Sequence, residues 1–401
     1  MSRRDGSPRV SGAAYGRADS RADAVLETVY LILLGLMTLM AFRYTTMIPY
    51  DRLDWDYNTI RQLRLALAVF VGLKLAYERS WGPWELVLAA VLCASLIRSW
   101  QRVERLYVFE LALLIAGAHG VDYRKILRVW CAVTAAALVG TVALALTGSI
   151  ENLTYERDGH VRMALGSIYP TDFAAHVFFT AAGFAFLRGR RATYIEVAAY
   201  AVLAAAVLLV CDARNSAVCL GLLAGWLLIA ARSRRRYGAW RPNAVTRGLC
   251  VAAGPVMAGG IIALSRVYTS RTPWMASLNR LLSGRLVYGR QAFNNLPLYL
   301  FGSDIQLVGR GGAVEEPESV FFLDSSYLYV LFLFGAAVLA AVLIGSVISA
   351  LRENRLRSWE RLGILAIVSL HCLLEHHMLE LSYNVFLLLP LAARMPEAED
   401  G

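Results

Sequence analysis

Arginine and aromatic residues alternate along one polar stretch of this chain, from Arg266 to Tyr329. It holds Arg266, Arg271, Arg280, Arg285, Arg290 and Arg310, interleaved with residues such as Tyr268, Trp274 and Tyr288. A guanidinium is a planar fork that matches phosphate oxygens. Aromatic faces can stack on sugar rings. A long cationic and aromatic segment therefore suits a large anionic, sugar-bearing ligand. Its densest group is Ser283, Gly284, Arg285 and Arg290. Arg285 and Arg290 lie five positions apart, which does not align them on one helical face. For Arg290 a solvated face is an equal reading.

Three further groups carry chemistry-capable side chains. Arg162 precedes Tyr169, Asp172 and His176. Asp172 and His176 are four apart and share a helical face, with Pro170 suited to the first turn. They form either a self-satisfied pair or the polar wall of a cavity. Asp212, Arg214, Asn215 and Ser216 occupy a tight turn, where Arg214 either pairs with Asp212 or faces a ligand. His371, Glu375, His376, His377 and Glu380 end an apolar run. The pairs His371/Glu375 and His376/Glu380 are each one turn apart, which fits proton transfer or an ion-paired helix end. HExxH is absent, and no metal is expected here.

The elements that must position these groups are membrane helices. The chain has 401 residues, of which 58% are hydrophobic, and carries a net charge of +10. Its mean hydropathy is +0.50. Runs of about 18–22 residues with almost no charge match the thickness of a bilayer as helix. Helices satisfy their own backbone in lipid, and strand-like alternation is absent. The expected fold class is an all-α polytopic membrane protein. About twelve spans are read, near 24–42, 62–78, 84–99, 106–120, 126–148, 170–187, 194–211, 214–231, 246–265, 324–350, 361–378 and 381–394. One transmembrane domain over 24–394 is expected, flanked by a flexible N-terminal tail over 1–23 and a short tail over 395–401. No signal-peptide pattern is read in that N-terminal segment.

Basic connections set the orientation. RKILR, RGRRATY, RSRRRYGAWRPNAVTR and RENRLRSWER are short and cationic, as cytoplasmic loops are. Both termini are then expected in the cytoplasm, and the loop 266–323 outside. The other outer connections fall near 43–61, 100–105, 149–169, 212–213 and 379–380. All four polar groups lie on this outer side. Charge there, against the positive-inside trend, needs a reason. The arginine excess is explained by topology, and no nucleic-acid partner is expected. Six cysteines fall in or at the edges of apolar runs without C-x-x-C or finger spacing, so neither disulfides nor zinc fingers are expected.

With these positions in hand, the chain resembles the O-antigen polymerase and O-antigen ligase superfamily of bacterial envelope glycosyltransferases. The likeness rests on the span count with one dominant outer loop, and on VRMALGSIYPTDFAAH, DARNSAVCL, the NRLLSGRLVYGRQAFNN…LFG run, DSSYLYVLFLFG and the late YNVFLLLP. It implies a helical membrane-glycosyltransferase fold of the GT-C type in the bacterial cytoplasmic membrane, without a cofactor. The implied donor is a glycan on a polyprenyl pyrophosphate. The implied acceptor is a sugar hydroxyl, on a second lipid-linked repeat unit for a polymerase or on a lipid core for a ligase. A flippase and a chain-length regulator are the implied partners. Ligases of the family carry a histidine in the large outer loop, and this loop has none between Arg266 and Leu323. That favours a polymerase.

A pyrophosphate leaving group gains charge as the glycosidic bond breaks, and fixed arginines stabilise it electrostatically. Arg162, Arg214 and Arg285 are expected in that role. The base that takes the acceptor proton is His176 or one of His371, Glu375, His376 and His377. Asp172, Asn215, Ser283, Arg290, Asp324, Tyr327, His371, His377 and Asn384 are expected to contact substrate. A transporter or flippase is the competing class, but it commonly shows a two-half repeat and short loops, and no repeat is visible. An intramembrane protease lacks its motif here.

Overall fold

The computed structural model describes residues 20–48, 57–78, 81–157, 159–309 and 321–393. Arg310, the acidic patch that follows it, much of the 43–61 connection and most of both expected tails lie outside the described residues.

The described residues are mostly helical. In order come α1 (Ser20–Arg43), α2 (Tyr57–Tyr77), α3 (Pro83–Val103), α4 (Leu106–Gly117) and α5 (Tyr123–Leu146). A small antiparallel hairpin follows, β1 (Thr154–Arg157) with β2 (His160–Met163). Then come α6 (Pro170–Arg188), α7 (Tyr194–Cys211), α8 (Arg214–Tyr237), α9 (Ala244–Val251) and α10 (Ala253–Val267). The long polar stretch contains α11 (Pro273–Leu281) and α12 (Arg285–Asn295). The last elements are α13 (Ser326–Tyr329), α14 (Ala336–Arg355) and α15 (Trp359–His371).

Local chemistry explains the starts. Asp122 accepts the Arg124 amide at 2.9 Å and caps α5. Thr193 and Glu196 form a capping box at α7. Proline occupies the first turn of α3, α6 and α11.

Among the described residues, α1, α3, α5, α7, α8 and α14 are each long and apolar enough to cross a membrane. The pair α9 and α10 passes the same test together, bent by 65° at its junction. The protein is therefore a membrane-embedded helical protein. Its centre is α6, buried on nearly every face and packed by α5, α7, α8 and α15. Two charges on α2 have partners, with Arg64 meeting Glu110 and Lys74 meeting Glu78.

Besides the bent ninth, three further expected spans depart from a single full-length helix. The tenth is broken. Short α13 passes into a π-type turn over Val330–Phe334 and stops at Gly335, whose φ is 99°. The eleventh ends at His371 rather than 378. The twelfth is not an α-helix at all, because Val385–Leu388 is one 3-10 turn. This irregular backbone survives because it is buried in protein and satisfied there. Trp130 Nε1 donates to Leu381 O at 2.7 Å, and Arg352 donates to Leu389 O and Ala392 O, both at 2.9 Å.

The arginine-rich connections gather at one end of the bundle. Arg190 donates to Arg357 O at 3.2 Å and Arg188 pairs with Glu196 at 2.7 Å. Near the same end Glu27 meets Lys125 at 2.5 Å, and the Tyr123 amide bonds Ala393 O at 2.9 Å. Both ends of the described chain thus lie beside the start of α5. The four polar groups lie toward the other end.

Candidate functional site

Two turns aim the central arginines. Ser283 and Gly284 both adopt positive φ, 50° and 87°, which glycine alone tolerates freely. They reverse the chain between α11 and α12. Asn279 Oδ1 then accepts the amides of Leu286 and Val287 at 3.1 and 3.2 Å, capping α12. Arg285, first in α12, is turned inward. It pairs with Asp324 at 3.2 Å and donates to Leu374 O at 3.2 Å. Its buried Nε has no partner.

Arg162 enters from β2. Its Nε donates to Cys211 O at 2.8 Å, one of the free carbonyls ending α7. The guanidinium lies over the Tyr169 ring at 5.4 Å. The side chain is buried, and its Nη2 has no partner. The carboxyl of Glu375 is within electrostatic reach of Arg285, Asp324 and Arg162. Its backbone is fixed by Ser326, whose Oγ and amide donate to Glu375 O at 2.5 and 3.2 Å.

Beyond Glu375 the chain folds back on itself. Glu380 Oε1 lies 3.7 Å from His376 Nε2 and 3.7 Å from His377 Nδ1. The other nitrogen of His377 faces Asp172 at 3.6 Å. So Asp172 meets His377 rather than His176. His176 instead bonds Thr45 Oγ1 at 2.7 Å. Tyr383 lies between the two histidines, stacked on His377 at 3.8 Å and on His176 at 3.9 Å. Asp172 also feels the charges of Glu380, Glu375 and Asp324.

Other expected residues lie elsewhere. Arg214 is 64% exposed and meets Asp212 at 3.2 Å, outside the buried group. Asp212 chiefly anchors the hairpin, because Arg157 Nε donates to its Oδ2 at 2.7 Å. Burial works against ionisation of Asp212, but the hydrogen bond and charge of Arg157, helped by Arg214, hold its carboxyl below the usual range. Ser283 is exposed and serves the turn. Arg290 reaches back to Arg266 O beside an open cleft with Phe293. His371 is separated from Glu375 by the end of α15. It stacks on Phe178 at 4.3 Å and bonds Ser216 Oγ at 3.1 Å, while Asn215 Nδ2 donates to His371 O at 3.1 Å. Tyr327 donates to Ser369 O at 2.8 Å and Asn384 to Met378 O at 2.9 Å. Both line a narrow, mostly apolar cavity of about 70 Å³ between α3, α10, α14 and α15.

The sequence reading missed Arg105, Tyr107, Tyr329 and Tyr383. Arg105, in the turn between α3 and α4, is within electrostatic reach of Glu380, Tyr107 and Tyr329. Tyr107 and Tyr329 hydrogen-bond each other. An arginine in a six-residue connection expected on the outer side is the one signal available for any of them.

No protein-family model, curated protein or solved structure matches this chain.

Proposed function

We propose that this protein is a membrane glycosyltransferase that polymerises polyprenyl-pyrophosphate-linked oligosaccharide repeat units. It works on the outer face of the bacterial cytoplasmic membrane, with twelve crossings, both termini inside and a fold of the GT-C type. The observation that carries the reading is a pair of unused donors. Buried N–H groups of Arg162 and Arg285 lack partners, and both guanidinium groups are within electrostatic reach of Glu375. Unused guanidinium donors in a protein interior are costly, and an anion would satisfy them.

The chemistry follows from that placement. An acceptor hydroxyl attacks the anomeric carbon of the donor. The bond from that carbon to the pyrophosphate oxygen breaks, and its electron pair leaves with the pyrophosphate. Arg162 and Arg285 stabilise the growing charge in a partly dry site. The acceptor proton passes to the Glu375 carboxylate. Glu375 suits this role better than His176, whose Nε2 is engaged by Thr45 and whose ring is stacked on Tyr383. The lack of histidine in the outer loop favours a sugar acceptor on a second repeat unit over a lipid core.

A transporter has one observation on its side, the 65° break between α9 and α10, since discontinuous helices form transporter sites. Deleting the gene in the native host and profiling surface glycans separates the readings. The polymerase loses long chains and keeps a single attached repeat unit. Wild type restores long chains and Arg285→Ala does not. A ligase leaves no attached unit, and unaltered glycans favour transport of another cargo.

A further inference from the structure

We infer that His376, His377 and Glu380 bind one divalent first-row transition-metal ion of the zinc class. One ligand atom from each residue lies within 4.8 Å of the others. The two His–Glu separations are each 3.7 Å. Ligands about 2.0–2.2 Å from a tetrahedral metal stand about 3.3–3.6 Å apart, so closing the set requires only side-chain adjustment. Two imidazoles and a carboxylate suit zinc, cobalt or manganese rather than magnesium or calcium.

A second observation points to a ligand independently. His377 is 2% exposed, yet neither ring nitrogen has a hydrogen-bond partner. Nδ1 of His376 is likewise buried and unpartnered. Buried polar atoms are satisfied in the great majority of cases, so three such atoms in two adjacent rings need a reason. His119 at the opposite end of the bundle shows the contrast. Its Nδ1 meets Glu78 at 3.0 Å and its Nε2 meets Glu85 at 3.2 Å.

The surroundings fit a cation. Asp172 faces the free nitrogen of His377 from the far side, where a carboxylate orients a metal-bound imidazole and raises its basicity. The carboxylates of Glu375 and Asp324 lie nearby, offset by Arg105, Arg162 and Arg285. Tyr383 packs on the His377 ring and fixes its plane. His376 and Glu380 keep 22% and 24% of their side chains exposed, which leaves a route of entry. Three protein ligands leave a coordination position open. The sequence alone sets a metal here below proton transfer or an ion-paired helix end, because HExxH is absent and the ligands follow an irregular turn rather than a helical motif. The site stands on its own ligands, whether or not the glycan reading holds.

The test uses the full chain in detergent micelles, stripped with chelator and titrated with Co²⁺ and then Zn²⁺. One Co²⁺ per chain is expected, with visible ligand-field absorption that Zn²⁺ displaces. Zn²⁺ raises the unfolding temperature of the wild type. His377→Ala and Glu380→Gln abolish stoichiometric binding. Asp172→Asn weakens it by about tenfold or more. His160→Ala, on the exposed hairpin, binds as wild type does. Because a variant can misfold, a second measurement uses wild type alone. Zn²⁺ must protect the partly exposed His376 from acylation by diethylpyrocarbonate, read by mass spectrometry. Absence of stoichiometric binding by wild type, wild-type binding by folded His377→Ala, or an unprotected His376 each overturn the proposal.

Discussion

The ring of Tyr383 stacks on that of His377 with centroids 3.8 Å apart and planes 22° from parallel. Its opposite face carries His176, so one tyrosine joins α6 to the irregular segment that follows α15. Tyr383 is also hydrogen-bonded to Thr45, beyond the end of α1. Three distant parts of the chain meet on this side chain.

Removing that ring leaves a void among rigid neighbours. Tyr383→Ala should cost about 3–5 kcal/mol, the range for large aromatic truncations in cores. Tyr383→Phe keeps the stack and loses one hydrogen bond, which is worth about 1 kcal/mol. Unfolding of the detergent-solubilised protein by denaturant measures both. Equal losses for the two variants would mean that the hydroxyl, not the stack, joins the segments.

Ser326 holds the turn that carries Glu375. Its Oγ donates to Glu375 O and accepts the Met378 amide at 3.2 Å. Ser326→Ala strands the buried Met378 amide and leaves Glu375 O with the residue-326 backbone amide alone, at about 1–3 kcal/mol. The expected outcome is a folded protein that fails to restore long glycan chains. Full restoration by Ser326→Ala would show that the turn needs no such clamp.

Gly302 and Gly335 cannot take a side chain. A Cβ on Gly335 would lie 2.4 Å from Gly302 N, and one on Gly302 would lie 2.0 Å from Leu333 O. Both residues have positive φ, 77° and 99°. This contact pins the long polar stretch to the helix break at Val330–Phe334. Either Gly→Ala change should destabilise by more than about 2 kcal/mol and speed tryptic cleavage at Arg271 or Arg280. Unchanged cleavage kinetics in both variants would remove the contact from the account.

The Arg157–Asp212 pair should make the hairpin sensitive to acid. The Asp212 carboxyl is held below its usual range, so its contribution is complete above the ordinary value of about 3.9. It is lost as pH falls through the lower, folded-state value. A spin label at His160, in a background lacking accessible cysteine, should be immobilised at pH 5–8 and loosen at a pH below the ordinary carboxyl value of about 3.9. Asp212→Asn should be loose throughout. A label mobile at pH 7 in the wild-type pairing contradicts the anchor.

Much of the fold was legible because apolar run length is a strong signal. The runs that became α1, α3, α5, α7, α8 and α14 need no tertiary information. The twelfth run is not a helix, and 381–393 is apolar through burial in protein rather than through contact with lipid. Run length cannot separate those causes. In the candidate site the residue types were legible, and their partners were not. Spacing paired Asp172 with His176 and His371 with Glu375. The fold broke both pairs, one by stacking Tyr383 beside His176 and the other by ending α15 at His371. Arg214 looked functional because it runs against the charge trend, and Asp212 accounts for it locally. The neighbours Arg105 and Tyr383 depend on long-range packing that no single stretch encodes.

The central claim is that Arg162 and Arg285 stabilise a departing pyrophosphate beside Glu375. The most direct measurement places purified protein in lipid nanodiscs with a synthetic polyprenyl-pyrophosphate oligosaccharide. Free polyprenyl pyrophosphate and doubled glycan are then followed together. Wild type should form both at equal rates. Arg162→Ala and Arg285→Ala should each slow turnover by about 10²-fold or more, as loss of an electrostatic stabiliser does, while Arg214→Ala stays near wild type. Folded Arg285→Ala turning over at the wild-type rate, or no turnover by wild type, contradicts the account.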